Sequence, residues 1–272
     1  MYKLDWGYSM PEITVNGIKL NYIQKGEGHH LILIHGLSDD LRLWSHLIPE
    51  LSANYCTLAL DLRGHGSSSK PNTSYSIEQF SMDIYSLLVK LDIKKAHFIG
   101  FSMGGAIAQE FAVNYPDMVS ALVLISSFSY ASSDLNIRLL KLRESLVKGG
   151  FAAFFDEIIP MVLTPEFIEE NRAELNHVRE EKIKTESREA LISTINACMK
   201  FDIKDKLSMI SKPVLIISGK EDVLTPDELA EKTHKLIKGS KYKIIENVGH
   251  NVLILENRHC LLDLILEFLK SV

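Results

Sequence analysis

Residues 95–112 read KAHFIGFSMGGAIAQEFA. A short continuous apolar run ends at Gly100, and a segment rich in small residues, suited to a helix, follows. Between them Gly100-Phe101-Ser102-Met103-Gly104 forms a G-x-S-x-G pattern. Strand, sharp turn, helix is the context that a nucleophile elbow requires. The serine sits at a strained backbone position, and glycines two before and two after it let neighbouring chains approach. The five-residue pattern also occurs by chance, so its weight rests on what surrounds it.

Further apolar runs recur on both sides: HLILIHG (30–36), CTLALD (56–61), ALVLISS (121–127), PVLIISG (213–219) and KYKIIEN (241–247). Runs of this length suit strands covered on both faces, as in a parallel sheet. ITVNGIKLNY (13–22) alternates like a strand hairpin around Asn16-Gly17. Helical spacing fills the gaps: in 77–91, Phe80, Ile84, Leu87, Leu88 and Leu91 share one face. The pattern predicts an open, mostly parallel α/β sheet.

From 129 to 206 no strand-like run occurs. LLKLRESLVKGG, FAAFFDEIIPMVL, PEFIEENRAELNHVREEKIK and REALISTINACMK all read as helices. In the last, Leu191, Ile192, Ile195 and Met199 line one face, and Thr164 with Pro165 suits a helix start. The expected organisation is an α/β core formed by 1–128 and 207–272, with a helical cap inserted over 129–206.

The chain has 272 residues, 46% of them hydrophobic and 24% charged, and a net charge of −5. That apolar content excludes disorder as the main state. Without a basic stripe, neither nucleic acid nor an anionic membrane is expected as the main partner. Cys56, Cys198 and Cys260 are widely spaced and odd in number, which fits neither a disulfide framework nor a zinc site. They point to a reducing, cytoplasmic setting. MYKLDWGYSM lacks the apolar stretch of an export signal. LLDLILEFL (261–269) is too short and too charged to span a bilayer. His29-His30 reads as a strand start rather than a metal pair, and Gly26-Glu27-Gly28 is no dinucleotide fingerprint. No metal or organic cofactor is expected.

A serine hydroxyl is a weak nucleophile and needs a base held by an acid, in the chain order Ser, acid, His for this architecture. PVLIISGKEDVLTP places Asp222 just past one strand end, and KYKIIENVGHN places His250 just past the next. Open α/β sheets bind ligands at the carboxyl ends of their strands, so Ser102, Asp222 and His250 project to one edge. Taken singly, Asp222 could be a turn cap and His250 an ordinary loop histidine. Order and placement together argue for a catalytic set. Of the rivals, Glu221 points differently on the same loop and Asp227 follows Pro226 at a helix start. His35 and His65 precede the nucleophile in glycine turns and read as structural. The oxyanion of acyl transfer needs two N–H donors, assigned to the backbones of Met103, after the nucleophile, and Leu37, in His35-Gly36-Leu37.

With these residues in place, the chain resembles the α/β-hydrolase superfamily over nearly its whole length. LILIHGLSDDLRLW, ALDLRGHGSS, HFIGFSMGGAIAQEFAVNYPDMVSALVLISS, PVLIISGKEDVLTP and VGHNVLILEN carry the resemblance. It implies an eight-stranded sheet with a helical cap inserted after the sixth strand, and a structural role for the turn Asp61–Ser67. HGLSDDLRLW, KGGFAAFFDEIIPMVLTPEF and VGHNVLILEN are similar to the carboxylesterase and enol-lactonase branch. The chain lacks the HG-x-G-P-G loop of carbon–carbon bond hydrolases, the aspartate nucleophile of haloalkane dehalogenases and the G-G-S-W-G elbow of prolyl aminopeptidases.

The expected reaction is hydrolysis of an ester or lactone of a small to medium acyl group through an acyl-enzyme. Carbon–carbon or amide bond hydrolysis by the same residues is the alternative, and a non-catalytic ligand receptor a third reading. Trp44, Phe101, Phe128, Phe154, Phe155, Met161 and Leu163 are the apolar pocket candidates, although each singly suits a core role better. Arg138, Lys141 and Arg143 could anchor a carboxylate but read better as solvated helix surface. The expected partner is the small-molecule substrate, and a homodimer is compatible with the sequence.

Overall fold

A computed structural model describes residues 10–253 and 258–272. Asn16 and Gly17, both at positive φ, turn β1 (Glu12–Val15) into β2 (Ile18–Lys25). The apolar runs become β3 (His30–Ile34), β4 (Cys56–Leu60), β5 (Ala96–Phe101), β6 (Val119–Ile125) and β7 (Val214–Gly219), with β8 (Lys241–Ile245) more exposed at the edge. They form one eight-stranded sheet in the order β1-β2-β4-β3-β5-β6-β7-β8. β1 and β2 pair antiparallel, as do β2 and β4; the pairings from β4 to β8 are all parallel.

Alternate residues of each strand feed two cores. Ile32, Ile34 and Phe98 face one core with α2 (Ile77–Lys90), α3 (Met103–Asn114) and α8 (Asp227–Leu236). Leu31, Leu33 and Ile99 face the other with α1 (Ile48–Leu51) and α9 (Arg258–Lys270). Burial on both faces is why these strands read as continuous apolar runs. This is the α/β-hydrolase fold. Within VGHNVLILEN, residues 254–257 lie outside the described residues, as do residues 1–9 at the N-terminus.

Four helices lie between β6 and β7: α4 (Ser133–Val162), α5 (Pro165–Glu170), α6 (Arg172–Thr185) and α7 (Arg188–Lys200). The two ends of this block are tied together where Ala131 donates to the Phe201 carbonyl (3.0 Å) and Ile203 to that of Ser129 (3.0 Å). α4 bends at Gly150, whose φ of 67° and ψ of −163° leave the helical region. The stretch 165–184, which reads as one helix, is broken at Asn171. There both the backbone N–H (3.0 Å) and the side-chain amide (2.9 Å) donate to the Phe167 carbonyl, capping the first helix.

Candidate active site

Ser102 has φ 52° and ψ −119°, a conformation that L-residues rarely adopt, directly before α3. The glycines around it are sterically required. A Cβ on Gly100 would run into the Gly104 carbonyl, and one on Gly104 into the Ile34 carbonyl of the neighbouring strand. Ser127 Oγ donates to the Ser102 carbonyl (2.9 Å), pinning the turn. Ser102 Oγ hydrogen-bonds to no described residue, and the serine lines a cavity.

The loops after β7 and β8 are stitched together. Lys220 N donates to the Ile245 carbonyl (2.9 Å) and Glu221 N to that of Val248 (2.8 Å). The side chains of Asp222 and His250 meet as a result, with His250 Nδ1 2.7 Å from Asp222 Oδ2. Asp222 Oδ1 accepts from the backbone of Leu224 (2.9 Å) and Thr225 (2.8 Å), which fixes the carboxylate plane. Both residues are buried. Ser126 Oγ donates to the His250 carbonyl (2.8 Å). Thr225 is a residue that sequence reasoning missed. Its hydroxyl lies 2.8 Å from Asp222 Oδ2, 3.0 Å from His250 Nδ1 and 2.9 Å from the Ser126 carbonyl. The only signal was its position three residues after Asp222, which resembles an ordinary turn. Of the rivals, Glu221 is exposed, and Asp227 opens α8 and pairs with Lys220 at 2.8 Å.

His35 and His65 are fully buried. His35 Nε2 accepts from Leu62 N (3.0 Å), so its Nδ1–H donates to the Gly36 carbonyl (2.8 Å) and the ring is neutral. Burial pushes its pKa down to about 4, and that of His65 to about 3. Asp61 accepts from Leu41 N, Ser67 N and Asn21 Nδ2, tying together the loops that follow β3 and β4.

The cavity of about 100 Å³ is lined by Ser102, His250 and Leu37 together with residues of α4 and α6. Met103, buried at the first position of α3, follows the serine directly. Of the seven apolar candidates, Phe101, Phe155 and Leu163 line the cavity. Four do not. Trp44 is fully buried in the second core, drawn in with Leu41 and Leu43 on a single helical turn. Phe128 packs edge-on against Phe201 in the first core, Phe154 is fully buried there, and Met161 packs against it. The face of α4 that lines the cavity is Phe151, Phe155, Ile158, Ile159 and Val162, at spacings of 4, 7, 8 and 11 from the first. Phe154 and Met161 fall beside that stripe. The stripe was visible as helical periodicity, but periodicity alone does not say which face meets a cavity.

A family model for the alpha/beta hydrolase fold matches residues 29–257. The chain belongs to this family. Within it, the 3-oxoadipate enol-lactonase 2 of Acinetobacter baylyi is 30% identical over 216 residues, covering 78% of this chain and 79% of that protein. The pimeloyl-[acyl-carrier protein] methyl ester esterase of Neisseria meningitidis is 26% identical, over 80% and 70% of the two chains. The crystal structure of the enol-lactonase from Burkholderia xenovorans superposes with a TM-score of 0.86 at 27% identity, covering 96% of this chain and all of that one.

In this α/β hydrolase the helical block touches both loops that frame the cavity. Asn251 N, next to His250, donates to the carbonyl of Val162 at the end of α4 (3.0 Å). On the other side, Lys182 of α6 donates to the Ser38 carbonyl (2.9 Å), Asp40 Oδ2 (3.0 Å) and Glu186 Oε1 (3.0 Å). Burial disfavours its charge, but Asp40 and Glu186 outweigh it and hold the ammonium above its usual range. Asp40 is likewise opposed by burial, yet Lys182 and Arg42 hold its carboxyl well below the usual range. Of the three cations weighed as carboxylate anchors, Lys141 pairs with Glu157 at 2.6 Å and Arg143 reaches Asn196 at 3.5 Å. Neither these nor Arg138 lines the cavity.

Proposed function

We propose that this α/β hydrolase is a serine hydrolase that cleaves carboxylic esters or lactones of small to medium, largely apolar acyl groups. The observation that carries the reading is the 2.7 Å Asp222–His250 contact in the wall of the cavity that also receives Ser102 from its strained turn. With Nδ1 engaged by Asp222, Nε2 is the nitrogen left to take the Ser102 proton. Ser102 Oγ attacks the carbonyl carbon, and the backbone N–H groups of Leu37 and Met103 stabilise the oxyanion. His250 passes the proton to the departing alcohol. Water then attacks the acyl-enzyme with His250 again as base, releasing the acid and restoring Ser102. Asp222 orients His250 and stabilises its cation.

The helices of 129–206 act as a lid over this site and set the acyl preference. A dry apolar cavity of roughly 150 Å³ accepts a benzene-sized group, so the cavity here, about 100 Å³, suits a short chain or a small ring. The three cysteines form no disulfide, in keeping with work in a reducing cytoplasm, and among the described residues no helix is long and apolar enough to cross a membrane. The test is a panel of p-nitrophenyl esters of two to eight acyl carbons, aliphatic lactones, aryl amides and dienoic diketo acids, read as kcat/KM. Highest values on esters or lactones are expected. A preference for dienoic diketo acids or aryl amides would overturn the reading.

A further inference from the structure

Besides the Ser102 hydroxyl, a carboxyl in the cavity wall has no hydrogen-bond partner among the described residues. Asp39 lies in the loop after β3 and lines the cavity with Ser102 and His250. Its backbone N–H closes a turn onto the Gly36 carbonyl (3.4 Å), but its carboxyl accepts no hydrogen bond from any described residue. Oδ2 lies 3.0 Å from where a Cβ on Gly36 would stand, and the ring of Phe101, the residue before the serine, is at the same distance from that point. Lys182 is the nearby cation, and its three N–H donors already go to Ser38, Asp40 and Glu186. Arg42 is engaged by both oxygens of Asp40. The cluster thus sets three carboxyls against two cations, and Asp39 is the carboxyl left over.

Asp39 is half-buried, and a substrate that fills the cavity and displaces water leaves its carboxyl without a donor, at a cost of roughly 1–3 kcal/mol and more when charged. In a cavity whose remaining wall is mostly apolar, a ligand donor is what satisfies it.

We propose that Asp39 is a specificity-determining residue: its carboxyl accepts a hydrogen bond from an N–H or O–H group that the substrate carries near the scissile carbonyl, and it turns away substrates bearing a carboxylate there. This rests on the ester or lactone reading of the same site. Burial lifts the Asp39 carboxyl to about 7, against the pull of Lys182 and with the push of Asp40; His250 and Glu186 also face it. Both the donor preference and the penalty on carboxylates therefore strengthen as pH rises through about 7.

The experiment compares four p-nitrophenyl esters: butyrate, N-acetyl-β-alaninate, its N-methyl counterpart, and the monoester of succinic acid. Ratios of kcat/KM are read within each protein at pH 8. In the wild type the N–H ester is expected to exceed its N-methyl counterpart about tenfold, the size of one hydrogen bond to a charged group. Asp39→Leu brings that ratio to about one. Asp39→Asn, nearly isosteric, keeps part of it through the amide oxygen and raises the succinate-to-butyrate ratio by about tenfold. Butyrate turnover with equal wild-type N–H and N-methyl values, or a ratio that Asp39→Leu leaves unchanged, overturns the role of Asp39 alone. No turnover of any of the four overturns the ester reading and the proposal with it.

Discussion

Lys182 and Ser38 are 144 positions apart in the chain, yet the lysine ammonium donates to the serine carbonyl at 2.9 Å. Ser38 follows Leu37, whose N–H is the proposed oxyanion donor. One side chain of the helical block therefore holds the loop on which that donor depends.

Replacing it by methionine strands the buried carboxylate of Glu186 and leaves Asp40 with Arg42 alone. Breaking a buried pair in this way costs about 3–5 kcal/mol. Lys182→Met is expected to lower stability to urea by that order and to reduce kcat more than it raises KM. Lys182→Arg does not restore both, because a planar fork cannot reproduce three divergent ammonium bonds. Unchanged kcat in a folded Lys182→Met protein would sever the lid from the oxyanion loop.

Asp222→Asn preserves the shape of the loop but removes the charge that orients His250. The expected loss in kcat is roughly 10⁴-fold, with the far-ultraviolet circular dichroism unchanged. Thr225→Val, which removes the hydroxyl bridging Asp222, His250 and Ser126, is expected to cost about tenfold. It should also shift the acid limb of the kcat/KM profile, an effect that a purely structural threonine would not have.

Ser102 holds a strained φ of 52°. Strain of this kind costs about 1–3 kcal/mol, and only glycine relieves it. Ser102→Gly is expected to be inactive yet more stable by roughly 1 kcal/mol in urea titration, after the entropic cost of glycine. Ser102→Ala, which keeps the Cβ, should show no such gain.

Acid stability follows from His35 and His65, whose folded pKa values are depressed to about 4 and 3. Below the unfolded pKa of about 6.5 the unfolded chain takes up protons that the folded protein refuses. Stability contributed by the neutral rings is therefore complete above pH 6.5 and lost as pH falls towards 4. Asp39 opposes this, because its raised pKa of about 7 makes the folded state the better proton binder between about pH 4 and 7. Asp39→Asn is thus expected to steepen the fall in urea midpoint between pH 6.5 and 4.5. An unchanged slope would contradict the raised pKa of that carboxyl.

The sheet was legible in the sequence because both its faces are buried, so that β3, β5, β6 and β7 write themselves as apolar runs bounded by glycine or serine. The elbow was legible because Gly100 and Gly104 meet backbone atoms that no side chain could clear. The pocket wall was not. Phe154 and Phe155 are adjacent and identical in type, and only the rotation of α4 after the bend at Gly150 puts one in the core and the other in the cavity. Lys182 sits in the charged run REEKIK and reads as a solvated face, because its partners come from Ser38 and Asp40, which no local pattern connects to it. Asp39 and Asp40 look equivalent in sequence; the approach of Lys182 and Arg42 makes one a paired anion and leaves the other alone.

The central claim is that Ser102 is the nucleophile of an ester hydrolase. It is tested most directly by the turnover of p-nitrophenyl butyrate in wild type and Ser102→Ala, with intact-protein mass measured after treatment with a fluorophosphonate. The prediction is a loss of roughly 10⁴-fold or more in kcat, with a single adduct on the wild type at Ser102 and none on the variant. Esterase activity that survives in Ser102→Ala, or an adduct at another residue, would contradict it.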